Sequence, residues 1–278
     1  MQRALVCADR TLDLSVPRIM GILNVTPDSF FDGGLFIAKE KAVVQARKMA
    51  NEGADIVDVG GESTRPGAQP VSVQEEMDRV LPVIEAIHRE LPVIISVDTS
   101  KPEVMREAVK AGAGMINDVY ALRLPGAVST VADLNVPVCL MHMQGEPRTM
   151  QQNPQYSDVI QAVRKFLQER IVECVNGGID RTQIIVDPGF GFGKSVQHNL
   201  ALVKNLAAFC ALEFPVLVGF SRKSSIGAIL ESPPDDRVFG SVSLAVIACW
   251  LGANIFRVHD VAATVDALKL CDAVKNSE

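Results

Sequence analysis

The chain has 278 residues, 48% of them hydrophobic, enough to bury one large core, and that composition excludes a disordered chain. Its net charge of −6 argues against a nucleic-acid partner, whose phosphates call for a basic face. Six scattered cysteines without C-x-x-C spacing give neither a zinc site nor a disulfide framework and read as reduced thiols of a cytosolic protein.

From the N-terminus, Met1 to Val16 mixes Arg3, Asp9, Arg10 and Asp13 with apolar residues and lacks the hydrophobic block of a signal peptide. Eight runs rich in Val, Ile and Leu then follow, each ending at a polar residue or glycine. They are Arg18 to Asn24, Asp55 to Gly60, Val93 to Asp98, Met115 to Asp118, Val136 to His142, Ile184 to Asp187, Pro215 to Gly219 and Asn254 to His259. Such runs suit parallel strands covered on both faces and joined by helical crossovers.

Helical spacing marks Lys39 to Asn51 and Val73 to Glu90, the latter with Ser72 and Glu75 placed for a capping box. Lys101 to Ala111 carries Pro102 in its first turn. Tyr156 to Val175, stopped by Gly177-Gly178, is expected to be the longest helix. Val196 to Phe209, Lys223 to Leu230, Val238 to Leu251 and Val261 to Val274 complete the set. The most apolar stretch, Leu244 to Ala253, is roughly half of the ~20 residues a membrane span needs.

Alternating strands and helices without a linker predict a single-domain (β/α)8 TIM barrel over residues 1–278, with its core at about 16–275. An open doubly wound sheet is the alternative. In a barrel the active site lies at the C-terminal strand ends, and here those ends are polar: Asn24, Asp58, Asp98, Asn117, His142, Asp187, Lys223 just beyond its strand, and Arg257 with His259. Any one such Asp serves as well for an N-cap or loop anchor. Gathered at one mouth, carboxylates and an amide can accept from an amidine-like N–H edge, a cation can donate to a ring carbonyl, and an arginine can stack on a flat ring. The set therefore suits a fused heterocycle. Two Gly/Pro-rich loops, Thr26 to Gly34 and Gly60 to Gly67, read as lids over that mouth or as plain turns.

Three apparent motifs fail. Gly189-Phe-Gly-Phe-Gly-Lys-Ser195 would place Pro188 at the first glycine of a phosphate loop and Lys194 at the last glycine of a dinucleotide fingerprint. Gly219-Phe-Ser-Arg-Lys223 lacks the second glycine of a nucleophile elbow, and reads better as a helix N-terminus where Arg222 and Lys223 make an anion site. His142 between Met141 and Met143 reads as wall rather than metal ligand.

The segments Gly21-Ile-Leu-Asn-Val-Thr-Pro-Asp-Ser-Phe-Phe-Asp-Gly-Gly34 and Asp58-Val-Gly-Gly-Glu-Ser-Thr-Arg-Pro-Gly67 closely resemble the two opening signatures of dihydropteroate synthases. Ser96 to Pro102, Asn117-Asp118, Met141-His-Met143, Asp187 to Lys194, Ser221-Arg-Lys223 and Arg257-Val-His259 continue the resemblance in order. It implies the same (β/α)8 fold and a cytoplasmic, sulfonamide-sensitive transferase of folate synthesis, expected to be a homodimer. That activity joins a pterin diphosphate to p-aminobenzoate with Mg2+, without a nucleic-acid or membrane partner. By the family pattern, Asp98, Asn117, Asp187 and Lys223 hold the pterin edge, Met141, Phe192 and Gly219 line its slot, and Arg257 lies over the ring. Asn24 is the metal-side ligand, and Arg257 and His259 join it around the diphosphate. Phe30, Thr64, Arg65, Pro66 and Ser221 form the p-aminobenzoate pocket, while Asp32 assists at the metal-diphosphate and the reacting centre. The chain departs from the pattern at Phe31, where a small polar residue is usual.

Two other activities fit part of the pattern. A corrinoid-linked methyltransferase would share the pterin pocket without needing Arg257, His259 and the Ser-Thr-Arg-Pro loop, and a silent partner-binding barrel would lack Asp32 or Arg65.

Overall fold

Side chains of a strand point alternately to its two faces, so in a ring of parallel strands every second residue faces the centre. The computed structural model describes residues 4–26, 34–63, 69–147 and 149–277, with the backbone alone for 34–37. The expected Phe30, Asp32, Thr64, Arg65 and Pro66, together with Phe31, lie outside the described residues. Within them β3 (Arg18–Asn24), β4 (Ile56–Gly60), β5 (Ile94–Asp98), β6 (Met115–Asp118), β7 (Val138–Met141), β8 (Ile184–Asp187), β9 (Leu217–Val218) and β10 (Ile255–Val258) form one eight-stranded sheet of parallel pairs. Its order runs β8-β7-β6-β5-β4-β3-β10-β9. A parallel bridge between Val186 and Val216 joins the two outer strands and completes the ring. The (β/α)8 barrel is therefore the fold, and the open sheet is excluded. Strand β9 starts late because Pro215 has no N–H and the Val216 N–H is taken by the Asn254 side chain at 3.0 Å.

The register sorts the strands into layers. Met20, Ile56, Ile94, Met115, Cys139, Ile185, Leu217 and Ile255, one from each strand, form an apolar layer at the bottom. Two residues further along lie Ile22, Asp58, Ser96, Asn117, Met141, Asp187, Gly219 and Arg257, which face the same interior one storey higher. The intervening residues, such as Val57, Val97, Leu140 and Val186, face outward into the core shared with the helices. Each fully buried aliphatic side chain there contributes roughly 1.5–3 kcal/mol.

The bottom is closed by a hairpin that the sequence did not announce: β1 (Ala4–Cys7) and β2 (Arg10–Asp13) pair antiparallel. Leu5, Cys7, Leu12 and Leu14 project from it into the apolar layer.

Around the ring run α1 (Gly34–Asn51), α2 (Val73–Glu90), α3 (Pro102–Lys110), α4 (Ala127–Leu134), α5 (Val159–Asn176), α6 (Val196–Lys204), α7 (Ala207–Cys210), α8 (Ser224–Leu230), α9 (Val238–Trp250) and α10 (Val261–Lys275). Helix α5 is not the longest, since α1, α2 and α5 have 18 residues each. Ser72 caps α2 by accepting from the Glu75 N–H at 3.2 Å, but the Glu75 carboxylate turns to Arg79 at 2.5 Å instead of returning to the cap. The reciprocal box forms at α6 between Ser195 and His198. The run expected from 196 to 209 divides into α6 and α7, because Asn205 ends the first helix and bonds back to the Ala201 carbonyl at 2.9 Å. Among the described residues no helix is long and apolar enough to cross a membrane. All six cysteines are free thiols.

Candidate active site

The second inward storey brings opposite charges together at the C-terminal mouth. Arg257 of β10 donates through Nε to Asp58 Oδ2 at 2.6 Å and through a terminal nitrogen to Asp98 Oδ2 at 2.7 Å. Asn117 of β6 donates Nδ2 to the same Asp58 oxygen at 3.0 Å. Four strands are thereby tied by side chains across the barrel. Asp58 is fully buried, and its other oxygen, like the Ser96 hydroxyl on the register-paired residue of β5, has no hydrogen-bond partner among the described residues.

Burial by itself would lower the Arg257 pKa, but Asp58 and Asp98 more than reverse it and hold the guanidinium charged. Asp98 is pushed up to about 7 by burial, against the pull of Arg257, with Asp58 adding to the rise. Asp187, at the end of β8, is also raised by burial, while Lys223 and the Gly189 N–H, which reaches its Oδ1 at 2.7 Å, oppose that rise. Lys223 is lowered to about 8 by desolvation, with Asp187 acting against it. Its Nζ donates to the Phe190 carbonyl and lies over the Phe192 ring, 4.6 Å from the centroid.

Met141 joins Val119, Met143 and Met150 in a small apolar cluster against which Phe192 and Tyr120 pack. Together they make a flat apolar wall beside the charged floor. Gly219 lies beside Arg257 and Lys223, where a Cβ would make ordinary contact with Arg257 Cβ at 3.7 Å and Lys223 Nζ at 3.9 Å. Ser221 Oγ lies 3.1 Å from the His259 backbone nitrogen and 3.0 Å from its Nδ1, joining the loops after β9 and β10. Asn24 ends β3 on the rim, where its Oδ1 and Asp98 Oδ2 each lie 3.7 Å from where a Cβ on Gly60 would stand. Outside Asp98 opens a cavity of about 320 Å3 whose lining includes Glu62, Glu76, Ser100, Lys101, Tyr120 and Glu146.

One expectation changes. Arg222 does not share an anion site with Lys223. Its left-handed backbone (φ 58°) sends the guanidinium to Asp260, at 3.1 and 2.6 Å, and to Asp235 at 2.9 Å. His142 is engaged at Nδ1 by Lys194 Nζ, 2.9 Å away, and burial lowers its pKa to about 2, so it is a neutral interior group. Asp58 appears among the strand ends in the sequence, but its role as shared acceptor for Arg257 and Asn117 follows only from the every-second-residue register.

The described site residues converge on one mouth: Asp98, Asn117, Asp187, Lys223 and Arg257 as a polar ring, Met141 and Phe192 as wall, and Asn24, Gly219, Ser221 and His259 on the rim. Carboxylates beside an amide, an ammonium and a flat apolar wall can take a planar heterocycle with a donor edge.

Residues 20–259 match the family described as pterin binding enzyme. The dihydropteroate synthase of Haemophilus influenzae is 56% identical over 269 residues, 97% of this chain and 98% of that protein. The dihydropteroate synthase of Xanthomonas albilineans, solved with 4-aminobenzoic acid, superposes with a TM-score of 0.95 at 53% identity and full coverage of both chains. The same organism's enzyme in complex with 7,8-dihydropteroate gives 0.91 at 51% identity, covering 99% of this chain and 100% of that one. The polar mouth, the barrel beneath it and these likenesses agree: the chain belongs to the pterin-binding enzymes, and within them to the dihydropteroate synthases.

Proposed function

We propose that this chain joins 6-hydroxymethyl-7,8-dihydropterin diphosphate to p-aminobenzoate, giving 7,8-dihydropteroate and diphosphate. The observation that carries the reading is the ring of Asp98, Asn117, Asp187, Lys223 and Arg257 at the barrel mouth, on a fold shared with relatives solved with 4-aminobenzoic acid and 7,8-dihydropteroate. Asp98, Asn117 and Asp187 accept from the N–H edge of the pterin, Lys223 donates to its carbonyl, and Met141 and Phe192 cover its face. Arg257 lies over the ring with its charge held by Asp58 and Asp98. As the diphosphate leaves the pterin methylene, positive charge spreads into the ring, and the fixed Asp98 and Asp187 carboxylates stabilise it. The aniline nitrogen then attacks, so no enzyme nucleophile is needed. A rate insensitive to electron-withdrawing groups on the pterin would refute that order of events.

Arg257 and His259, the latter steadied by Ser221, hold the diphosphate. Asn24 supplies a hard amide oxygen at the rim, which fits Mg2+, an ion bound through one or two protein oxygens together with substrate phosphates. When bound, the ion neutralises charge on the departing diphosphate. Asp32 assists at that centre, and Phe30, Thr64, Arg65 and Pro66 receive p-aminobenzoate with Ser221.

The chain works in the cytoplasm as a homodimer in this reading. Adjacent helices α9 and α10 expose Phe239, Trp250, Leu270 and Val274, an apolar face suited to a second copy. Light scattering of the purified protein tests the dimer. Diphosphate release from the pterin substrate, with Mg2+ and with or without p-aminobenzoate, tests the activity. Release that requires p-aminobenzoate and yields dihydropteroate is expected, and pterin binding without turnover would overturn the reading.

A further inference from the structure

The glycine-rich run rejected as a phosphate loop ends in a lysine that the chemistry above does not use. Gly189, Gly191 and Gly193 all have left-handed backbones, with φ of 70°, 84° and 63°. A Cβ at Gly189 would fall 1.9 Å from the His142 carbonyl oxygen, and one at Gly193 would fall 2.4 Å from that of Gln144. The loop therefore lies flat on the chain that leaves β7. The alternation sends Phe190 into the core, edge-on to Phe220 at 5.0 Å, and Phe192 toward the mouth.

Lys194, 2% exposed, folds back beneath this loop. Its Nζ donates to the carbonyls of Gly189 at 2.8 Å and Phe192 at 2.9 Å, and reaches His142 Nδ1 at 2.9 Å with the His142 carbonyl at 3.3 Å. Every hydrogen-bond acceptor among the described residues is neutral, and the pull of the Asp187 carboxylate does not offset the burial of the amine, so an apolar side chain would have cost less there. What it gains is directional. The Gly189 and Phe192 carbonyls turn down to Lys194, while the Phe190 carbonyl between them turns up to Lys223. Two amines on opposite sides share one loop. Without the lower one, the Phe192 carbonyl loses its donor and the Gly189 carbonyl keeps only the Phe192 N–H at 3.1 Å, so these peptide planes loosen and take the Phe190 carbonyl and the Phe192 ring with them.

We propose that Lys194 is a positioning residue for pterin recognition, fixing the peptide planes of the Gly189–Lys194 loop so that the Phe190 carbonyl and Phe192 ring hold the Lys223 ammonium at the mouth. This rests on the reading that Lys223 and Phe192 take the pterin. Other parts of the loop are pinned from outside: Asn199 Oδ1 accepts from the Gly191 N–H at 2.8 Å, and Tyr156 donates its hydroxyl to the Gly193 carbonyl at 2.9 Å. Among the described residues Lys194 is the side chain that bonds both carbonyls flanking the Lys223 contact, the Gly189 carbonyl also taking the Phe192 N–H.

The test compares Lys194→Met, which keeps length and loses the donors, Lys194→Gln, which keeps an amide donor, and Tyr156→Phe, which releases an outer pin only. Calorimetric binding of the pterin diphosphate and steady-state kinetics are read across pH. Lys194→Met should weaken pterin binding at least tenfold with the p-aminobenzoate KM unchanged. Its alkaline limb should move above the wild-type position, because a released Lys223, no longer desolvated beside Arg257, regains an ordinary lysine pKa even as it loses the pull of Asp187. Lys194→Gln should fall between that variant and wild type, and Tyr156→Phe should stay within twofold. If Lys194→Met does not fold, Lys194→Gln decides alone: weaker pterin binding with a displaced limb supports the proposal, and unchanged binding ends it. Lower melting temperature with unchanged pterin affinity and pH profile, in whichever variant folds, would reduce Lys194 to a packing role and overturn the proposal. Wild-type protein that binds no pterin would instead refute the synthase reading itself.

Discussion

Replacing Asp58 with alanine removes the acceptor that two strands share. The carboxylate is fully buried and takes Arg257 Nε at 2.6 Å and Asn117 Nδ2 at 3.0 Å. Deleting one partner of a buried ion pair costs about 3–5 kcal/mol, because the other is left desolvated and uncompensated. Arg257 keeps Asp98 as a second counter-ion and is itself about a fifth exposed, with a side-chain accessibility of 21%, so the lower end, about 3 kcal/mol, is the working value. Freed from Asp58, Arg257 swings toward Asp98, and a displacement on the order of 1 Å at a reacting centre costs about 100-fold in rate. Asp58→Asn keeps an oxygen that can still accept from Arg257, so it should lose less on both counts. Urea unfolding gives the stability change, and diphosphate release gives kcat/KM. An Asp58→Ala protein with the wild-type urea midpoint and kcat/KM within threefold would refute the claim that this carboxylate organises the mouth.

The pH profile offers a second check. The folded chain keeps the Asp98 proton up to about 7, whereas the unfolded chain releases it near about 4. This group alone therefore makes stability fall between those values and stay level above them. Lys223, lowered to about 8 against about 10 unfolded, makes stability rise with pH across that higher window. With Asp98 needed as carboxylate and Lys223 as ammonium, kcat/KM for the pterin should rise through about 7 and fall through about 8. Lys223→Met should show the acid limb only. Gly189→Ala should destabilise by more than the roughly 1–2 kcal/mol of a left-handed backbone, since its Cβ meets the His142 carbonyl, and calorimetric melting measures it. Asp235→Ala should shift unfolding by less than about 0.5 kcal/mol, because that carboxylate is 93% exposed and Arg222 retains Asp260. Asn24→Ala should raise the Mg2+ concentration needed for half-maximal rate without changing the melting temperature of the ligand-free protein.

The sequence carries the barrel because its strands are continuous Val/Ile/Leu runs, and the strand ends name most of the site. The layering was less visible: Asp58 and Ser96 are one storey of a shared register, and only paired strands reveal who stands opposite whom. Helix α4 (Ala127–Leu134) is not legible in the sequence because its Val-Ser-Thr-Val centre has weak helix preference and Gly126 provides no side-chain cap, so packing against the barrel makes it helical. Arg222 and Lys223 look equivalent as sequence neighbours, yet one left-handed residue points them apart. Lys194 was hidden by its likeness to a phosphate loop, a likeness of spacing and not of shape.

The hairpin beneath the barrel bears on how the chain assembles. Its Leu5, Cys7, Leu12 and Leu14 rest on a floor to which all eight strands contribute, including Leu217 and Ile255 from near the other end of the chain. The hairpin can therefore complete its burial only after the last strand has joined the ring. Until then four apolar side chains wait in water, and contacts spanning most of the chain must form before they are covered, which is the kind of long-range closure that slows folding. Protection of the hairpin amides from solvent exchange should thus appear late in refolding and mark the moment at which the ring shuts.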